Sequence, residues 1–352
     1  MLYNMFSINS HLRKSSKVFY FKNKGDVYDK LLNLNVKVEY IPLYNIRCII
    51  SSILRCIIIL SSSRKCALHL WMYHPCVIIG VIAKLLSHPK IIWSIHHSNF
   101  DAKYNKKSTL YFIYLSSFLS HIVPTVIHSC SKKAITSHLK LGYKNNFVYI
   151  PNGVDTSKFM PRYPKQKSHY FTDIKSPFVI GFFARWDPLK NHAGLLEQFS
   201  DALKSNPCLC LLLCGANIDN YNDSLVKLIN YYSIPSANIK LLGNHQKINL
   251  IYKEIDLFCL PSHGEAFPVV ILESLSSGVP CISTDVGDCS HILKSLGTVA
   301  NINDFHQKIL FHSRITQEDF IHFRQKCRKH VIDNYKISKI SALYVKLYNY
   351  IL

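Results

Sequence analysis

The sequence predicts an α/β protein made of two doubly wound, parallel-sheet domains. Three observations predict it. Short apolar runs alternate with helical stretches through both halves of the chain. At 352 residues the chain is too long for one ordinary core, so two domains are expected. Residues 257–283 spell a strand, loop, helix and second strand, the crossover unit of a parallel sheet.

In order along the chain, KVFYF (17–21), VKVEYIPL (36–43), CALHLWM (66–72), KIIWSIHH (90–97), HIVPTV (121–126) and NFVYIPNG (146–153) read as strands. Residues 163–177 are polar and proline-bearing and read as a linker. PFVIGFFA (177–184), CLCLLLCG (208–215), NIKLLG (238–243), DLFCLPS (256–262) and VPCIST (279–284) then repeat the pattern. The expected division is a first domain over 1–162, the linker, a second domain over 178–335 and a closing helix over 336–352. That helix is amphipathic, with Ile340, Leu343, Leu347 and Leu352 near a 3.6 spacing. No internal repeat or low-complexity tract occurs.

Composition narrows the function. No G-x-G-x-x-G and no G-x-x-x-x-G-K-[ST] is present, against a standard dinucleotide site or P-loop. The twelve cysteines form no C-x-x-C pair, and Cys208, Cys210 and Cys214 read as core residues of a reduced, cytosolic protein. No secretory signal opens the chain, and its longest apolar stretch, CIISSILRCIIIL (48–60), is too short to span a bilayer and carries Arg55. Charge is lopsided. Residues 1–160 hold 21 Lys and Arg against 5 Asp and Glu, a balance of +16, whereas 161–352 hold 21 against 16. A polyanion is the natural partner of the first half. Nucleic acid is disfavoured, since no zinc-finger spacing, aromatic RNP-type strand or arginine-rich segment occurs. Residues 45–63, with Ile and Leu interleaved with Arg47 and Arg55, fit a membrane-interface helix and a core helix alike.

Two constellations carry chemistry. In HGEAFPVVILESLSSGVPCIST (263–284), Pro268 suits a helix start and Gly278 a helix stop. Glu265 then lies on the loop at the carboxyl edge of a strand, where open α/β sheets bind ligands. Glu273 lies about 7.5 Å along the helix. Between them the helix N-terminus offers free N–H groups that favour a phosphate. In GFFARWDPLKNHAGLLEQF, Arg185 ends a strand and Lys190 precedes a helix near Asn191. Two cations at such an edge suit a diphosphate, Arg by forking onto two oxygens and Lys as a point charge. Taken alone, each pair is also what an ordinary solvated surface would show.

Together these segments resemble the retaining glycosyltransferases of family 4, on the GT-B fold. ARWDPLKNH resembles the family's Arg/Lys donor segment, and LPSHGEAFPVVILESLSSGVPCISTDVGD its E-x7-E segment. YIPNGVDTSKF (149–159) resembles the Pro-Asn-Gly-x-Asp segment, and WSIHHSNFD the segment bearing a histidine at the reaction centre. The resemblance covers roughly residues 36–350. It implies two Rossmann-like domains facing a central cleft, with the closing helix crossing back to the first. It implies that Arg185 and Lys190 hold the donor diphosphate, that Glu273 accepts hydrogen bonds from the ribose, and that Glu265 touches the transferred sugar. Phe267 joins the donor-binding set, and His96 lines the cleft, with His97 as its rival. No Asp-x-Asp pair occurs, in line with a site that uses no metal or other cofactor.

The sequence departs from the family in two ways. Ala184 and Ala266 stand where the family usually has glycine, each adding a methyl beside the donor. The opening MLYNMFSINSHLRKSSKVFYF shows no clear first strand and no glycine before Gly25, so the chain reads as shortened at its start. The expected function is transfer of a hexose or N-acetylhexosamine from a nucleotide-diphosphate sugar, UDP-linked, to a lipid-linked acceptor of a cell-surface polysaccharide. The enzyme would sit in the cytoplasm, peripheral to an anionic membrane surface. Two other readings fit: a non-catalytic remnant that binds a membrane or protein partner, and a sugar-nucleotide epimerase of the same architecture.

Overall fold

The computed structural model describes residues 2–21, 25–43, 45–161 and 168–352. The part of the expected linker at 163–167 lies outside them. The strands are β1 (Lys17–Tyr20), β2 (Lys37–Tyr40), β3 (Leu68–Trp71), β4 (Ile91–Ile95), β5 (Val126–Ser129), β6 (Phe147–Tyr149), β7 (Phe178–Phe183), β8 (Leu209–Cys214), β9 (Ile239–Leu241), β10 (Leu257–Leu260), β11 (Cys281–Ser283) and β12 (Gly297–Val299). All the pairings among them are parallel. The chain divides into a unit of Met1–Gly153 with Ile337–Leu352 and a unit of Val154–Lys336.

In the first unit β1 pairs with β2, and β3-β4-β5-β6 form a four-stranded sheet. The strand period of two sorts β4 cleanly. Ile91, Trp93 and Ile95 pack with Cys56, Cys76, Ile79 and Ile113 from the helices Ile49–Ser62, Tyr73–Leu85 and Lys107–Leu119. Ile92 faces the other way, toward Met5, Phe6, Leu31, Ile340 and Tyr344. Helices on both faces explain why these strands read as unbroken apolar runs.

Several expectations are corrected. The opening segment forms two helices, Leu2–Ile8 and Ser10–Ser15, before β1. Met5 and Phe6 are buried against Ile340, Tyr344 and Leu347 of the closing helix, so that face of the sheet is covered. The closing helix, Ile337–Ile351, buries Ile337, Ile340, Ser341, Tyr344, Leu347 and Ile351. Leu343 and Leu352 are exposed, because a phase set by Ile340 and Leu347 runs through Tyr344. Residues 121–125 are not strand. Pro124 has no N–H to give a ladder, and β5 begins after it. Cys208 is exposed just before β8, while Cys210 and Cys214 are core residues as expected. The strand β12 was too short and too polar to stand out in the sequence.

The second unit holds one sheet in the order β12-β11-β10-β7-β8-β9. From β7 the chain builds outward to β9, then returns to the other side of β7 with β10. This is the doubly wound order, and it reverses between β7 and β10. The crossover at 257–283 forms as the sequence reads. The helix spans Val269–Ser276, and Gly278 at φ +71° stops it, donating to the Leu275 carbonyl at 3.0 Å. Arg328, on the long helix Gln317–Tyr335, gathers three carbonyls around this helix. Its Nη1 donates to Phe159 O and Ser276 O at 2.9 Å each, and its Nη2 to Thr156 O at 3.1 Å.

Arg328→Met keeps the aliphatic stem but takes the guanidinium donor from Ser276 O and Thr156 O, while Phe159 O keeps Ser276 Oγ at 2.7 Å. An unfolding free energy lower by about 2–4 kcal/mol is expected. Chemical denaturation measures it; a change below about 0.5 kcal/mol would show that water replaces the guanidinium without loss.

Candidate functional site

The reversal of strand order places two loops side by side at the carboxyl ends of β7 and β10, which are hydrogen-bonded neighbours. In open parallel sheets this switch point leaves a crevice where ligands bind. Arg185 and Lys190 stand on the loop leaving β7, and Glu265 on the loop leaving β10. The loops are tied by backbone and amide groups. His263 N donates to Leu189 O at 2.8 Å, and Asn191 Nδ2 donates to Pro261 O at 3.1 Å. Asn191 has φ +56°, and its Oδ1 accepts from Gly194 N at 3.2 Å, capping the helix His192–Ser205. One asparagine therefore sets the helix start, the chain reversal and the join between loops.

The charges meet here. Lys190 Nζ lies 2.5 Å from Glu265 Oε1, with the two side chains 17% and 14% exposed. Ser262 Oγ donates to the same oxygen at 2.9 Å, and Thr284 Oγ1 holds Ser262 O at 2.6 Å. Arg185 donates from Nη2 and Nε to Asp187 Oδ2 at 2.7 and 3.0 Å, its guanidinium largely open to solvent. Partial burial raises the Asp187 carboxyl. The Leu189 N–H, the Arg185 guanidinium and the Lys190 charge outweigh that and leave it below the usual range. Each cation is thus oriented by a carboxylate of its own neighbourhood, beside a helix start whose dipole favours anions.

Glu273 is the fifth residue of its helix, one turn and more behind the N-terminus. Tyr252 is fully buried, and its hydroxyl shares its proton between Glu273 Oε2 and Val270 O, each at 3.1 Å. Burial pushes the Glu273 carboxyl up to about 7, although the Tyr252 hydrogen bond and the charge of Lys158 pull it back. Phe183 and Phe258 pack on the Tyr252 ring, so the hydroxyl cannot swing away. Phe267 is buried, with its ring 6.0 Å from that of Tyr335. Its side chain belongs to the packing beneath the 265–268 loop, and its backbone lies on that loop.

Two glycines let the loops come this close. A Cβ on Gly287, at φ +50°, would stand 2.4 Å from the carbonyl oxygens of Glu265 and Ala266. A Cβ on Gly215, at φ +153°, would stand 2.1 Å from Ala184 O and 2.8 Å from Arg185 N. The sequence reading missed both, along with Asn191, Asp187, Tyr252 and Ser262. The only signals were glycines after a strand and an asparagine before a helix.

In the first unit, His96 follows β4. Its ring stacks on Trp71 at 4.9 Å, and its Nδ1 lies 3.2 Å from Cys130 Sγ. Burial, helped by the neighbouring His128, drives its pKa down to about 3, so it is a neutral imidazole at physiological pH. Its Nε2 has no hydrogen-bond partner among the described residues. His97 is engaged by Asn105 Oδ1 at 2.9 Å, and burial lowers its pKa as well. Of the two, His96 is the one with a ring nitrogen left to offer.

Gly287→Ala and Gly243→Ala make a matched test. Both glycines have positive φ, but Gly243 has nothing within 4 Å of an added Cβ. Gly243→Ala carries only the backbone strain, about 1 kcal/mol. Gly287→Ala adds the collision with the Glu265 loop and is expected to lower Tm by several degrees more. Equal Tm values would show that the loop yields freely.

Residues 165–322 match the family model described as glycosyl transferases group 1. Among curated proteins, the chain is 26% identical over 284 residues to the UDP-Gal:α-D-GlcNAc-diphosphoundecaprenol α-1,3-galactosyltransferase of Escherichia coli, covering 76% of this chain and 72% of that one. It is 25% identical over 182 residues to the N,N'-diacetylbacillosaminyl-diphospho-undecaprenol α-1,3-N-acetylgalactosaminyltransferase of Campylobacter jejuni, 48% of this chain and 46% of that one. Among solved structures, Anabaena HepE in complex with UDP and glucose superposes with a TM-score of 0.79 at 15% identity, covering 98% of this chain and 94% of that one. The fold is that of the GT-B glycosyltransferases, and residues 165–322 are similar to the glycosyl transferases group 1 family.

Proposed function

We propose that the chain is a retaining glycosyltransferase that moves a hexose or N-acetylhexosamine from a UDP-sugar to a lipid-linked saccharide acceptor at an anionic membrane surface. The observation that carries the reading is the gathering of Arg185, Lys190 and Glu265 on two tied loops at the strand-order reversal, with Glu273 on the helix that follows the second loop. Arg185 and Lys190 take the diphosphate, with the helix starts adding their dipoles, and stabilise the charge on the departing phosphate without a metal. Glu273 accepts the ribose hydroxyls. Glu265, steered by Lys190 and Ser262, meets the transferred sugar. The loop bearing Phe267 lines the donor, and His96, as a neutral imidazole, serves the sugar or acceptor hydroxyls. The lipid-linked acceptor is supported by the names of the Escherichia coli and Campylobacter jejuni relatives, and the anionic surface by the basic first half.

Incubation with UDP-hexoses and UDP-N-acetylhexosamines, with and without an undecaprenyl-diphosphate saccharide, tests the reading. An α-linked product or slow donor hydrolysis, undiminished by EDTA, is expected. Epimer formation, or silence from a folded protein, would overturn it.

Glu273 gives the pH dependence. An acid held near pKa 7 ionises mostly between pH 6 and 8. If the carboxylate is the form that binds ribose, UDP-sugar affinity should rise about tenfold over that interval. Glu273→Gln should flatten the profile, and Tyr252→Phe, which removes a hydrogen bond favouring the charged form, should move it to higher pH. A wild-type affinity independent of pH would sink the assignment. Stability runs the other way. The folded protein holds this proton more tightly than an unfolded glutamic acid does, so stability falls as pH rises from about 4.5 to about 7. Glu273→Gln should therefore melt like wild type at pH 5 and a few degrees higher at pH 8.

A further inference from the structure

The helices Ile49–Ser62, Tyr73–Leu85 and Lys107–Leu119 lie side by side on one face of the β3–β6 sheet. Since their inner residues share one core, their outer residues share one surface. On the first helix, Ile50, Leu54 and Ile58 recur every four residues and are 73%, 55% and 69% exposed. On the third, Tyr111, Tyr114 and Phe118 recur at i, i+3 and i+7 and are exposed to a similar degree. Exposed apolar rows of this kind, on helices of one layer, mark a binding face.

Charge decides what it binds. Residues 45–125 carry nine Lys and Arg and a single acid, Asp101. Arg55 is partly neutralised by Glu39 at 2.7 Å, but Lys103, Lys106 and Lys107 stand exposed at the head of the aromatic helix. A second copy would bring the same positive charge against itself. An anionic bilayer supplies the opposite charge and an apolar layer into which Ile, Leu and Phe can sink, with tyrosines at headgroup level. Among the described residues no helix is long and apolar enough to cross a membrane, so the geometry is one of lying on the surface.

We infer that this three-helix face docks the first unit on an anionic lipid bilayer, with Ile50, Leu54, Ile58 and Phe118 entering the acyl boundary and Lys103, Lys106 and Lys107 meeting lipid phosphates. The inference rests on the membrane part of the reading above and supplies its surface; it is independent of the donor chemistry.

Flotation of the full chain with phosphatidylcholine vesicles, with and without phosphatidylglycerol, tests it. Binding is expected only with the anionic lipid and is expected to be lost in 1 M NaCl, where the screening length is about 3 Å. The triple variant Ile50→Ser, Leu54→Ser, Ile58→Ser and the triple variant Lys103→Gln, Lys106→Gln, Lys107→Gln should each lower partitioning about tenfold or more. Tyr221→Ser, at a still more exposed apolar position in the second unit, should not. UDP-sugar affinity, measured in parallel, should be unchanged in all variants. Its absence in wild type would count against the glycosyltransferase reading and leave the docking face standing. The inference is overturned if wild type fails to float with anionic vesicles, or if both triple variants float as wild type does. It is also overturned if the apolar triple variant only abolishes self-association, which would assign the face to a second copy.

Discussion

The second unit depends on one topological constraint, the reversal of strand order between β7 and β10. Each side of the sheet builds by right-handed crossovers, so the two loops at the reversal leave in opposite directions and cannot cover one another. Their backbones stay open, and two helix starts face the same gap. Everything at the site follows from managing that gap. Asn191 and the His263 N–H stitch the loops together, and Gly215 and Gly287 remove side chains where backbone meets backbone. The carboxylates of Asp187 and Glu265 fix the directions of two flexible cations.

The carboxylates at this edge have different environments and therefore different characters. Asp187 sits among an N–H, a guanidinium and an ammonium, which favour its charged form. Glu273 has a buried phenol and a more distant lysine, and desolvation prevails. A group held near neutrality inside a helix is a destabilising choice for a fold whose apolar neighbours, Leu272 and Leu275, are fully buried. Such strained electrostatics cluster at functional sites, and they are consistent with a carboxylate kept dry until a ligand hydrogen-bonds to it.

The first unit solves a different problem with similar parts. Its sheet is covered on one face by three helices and on the other by the opening helix, the helix Asp26–Asn33 and the closing helix. The three-helix face buries enough apolar surface to close a core, and still shows Ile, Leu, Tyr and Phe outward. A helix that is apolar on both sides while its surroundings are basic reads as one layer of a protein core and one layer of an interface at once.

The sequence by itself determined the fold class and most of the strands, because a parallel sheet with both faces covered demands apolar runs that nothing else explains. It also placed Arg185, Lys190 and Glu265 after strand ends and Glu273 on the following helix, because strand, loop, Pro268 and Gly278 fix their places locally. The start of β5 after Pro124 has a local cause in the proline itself, whereas the phase of the closing helix and the helical opening were decided by packing against distant elements, which no local pattern encodes. Only the tertiary structure decided that Lys190 pairs with Glu265 across 75 positions, that Tyr252 reaches Glu273, and that Gly215 and Gly287 sit under the loops. These are contacts between neighbouring strands' loops, and their partners are set by the order of strands in the sheet rather than by the order of residues in the chain.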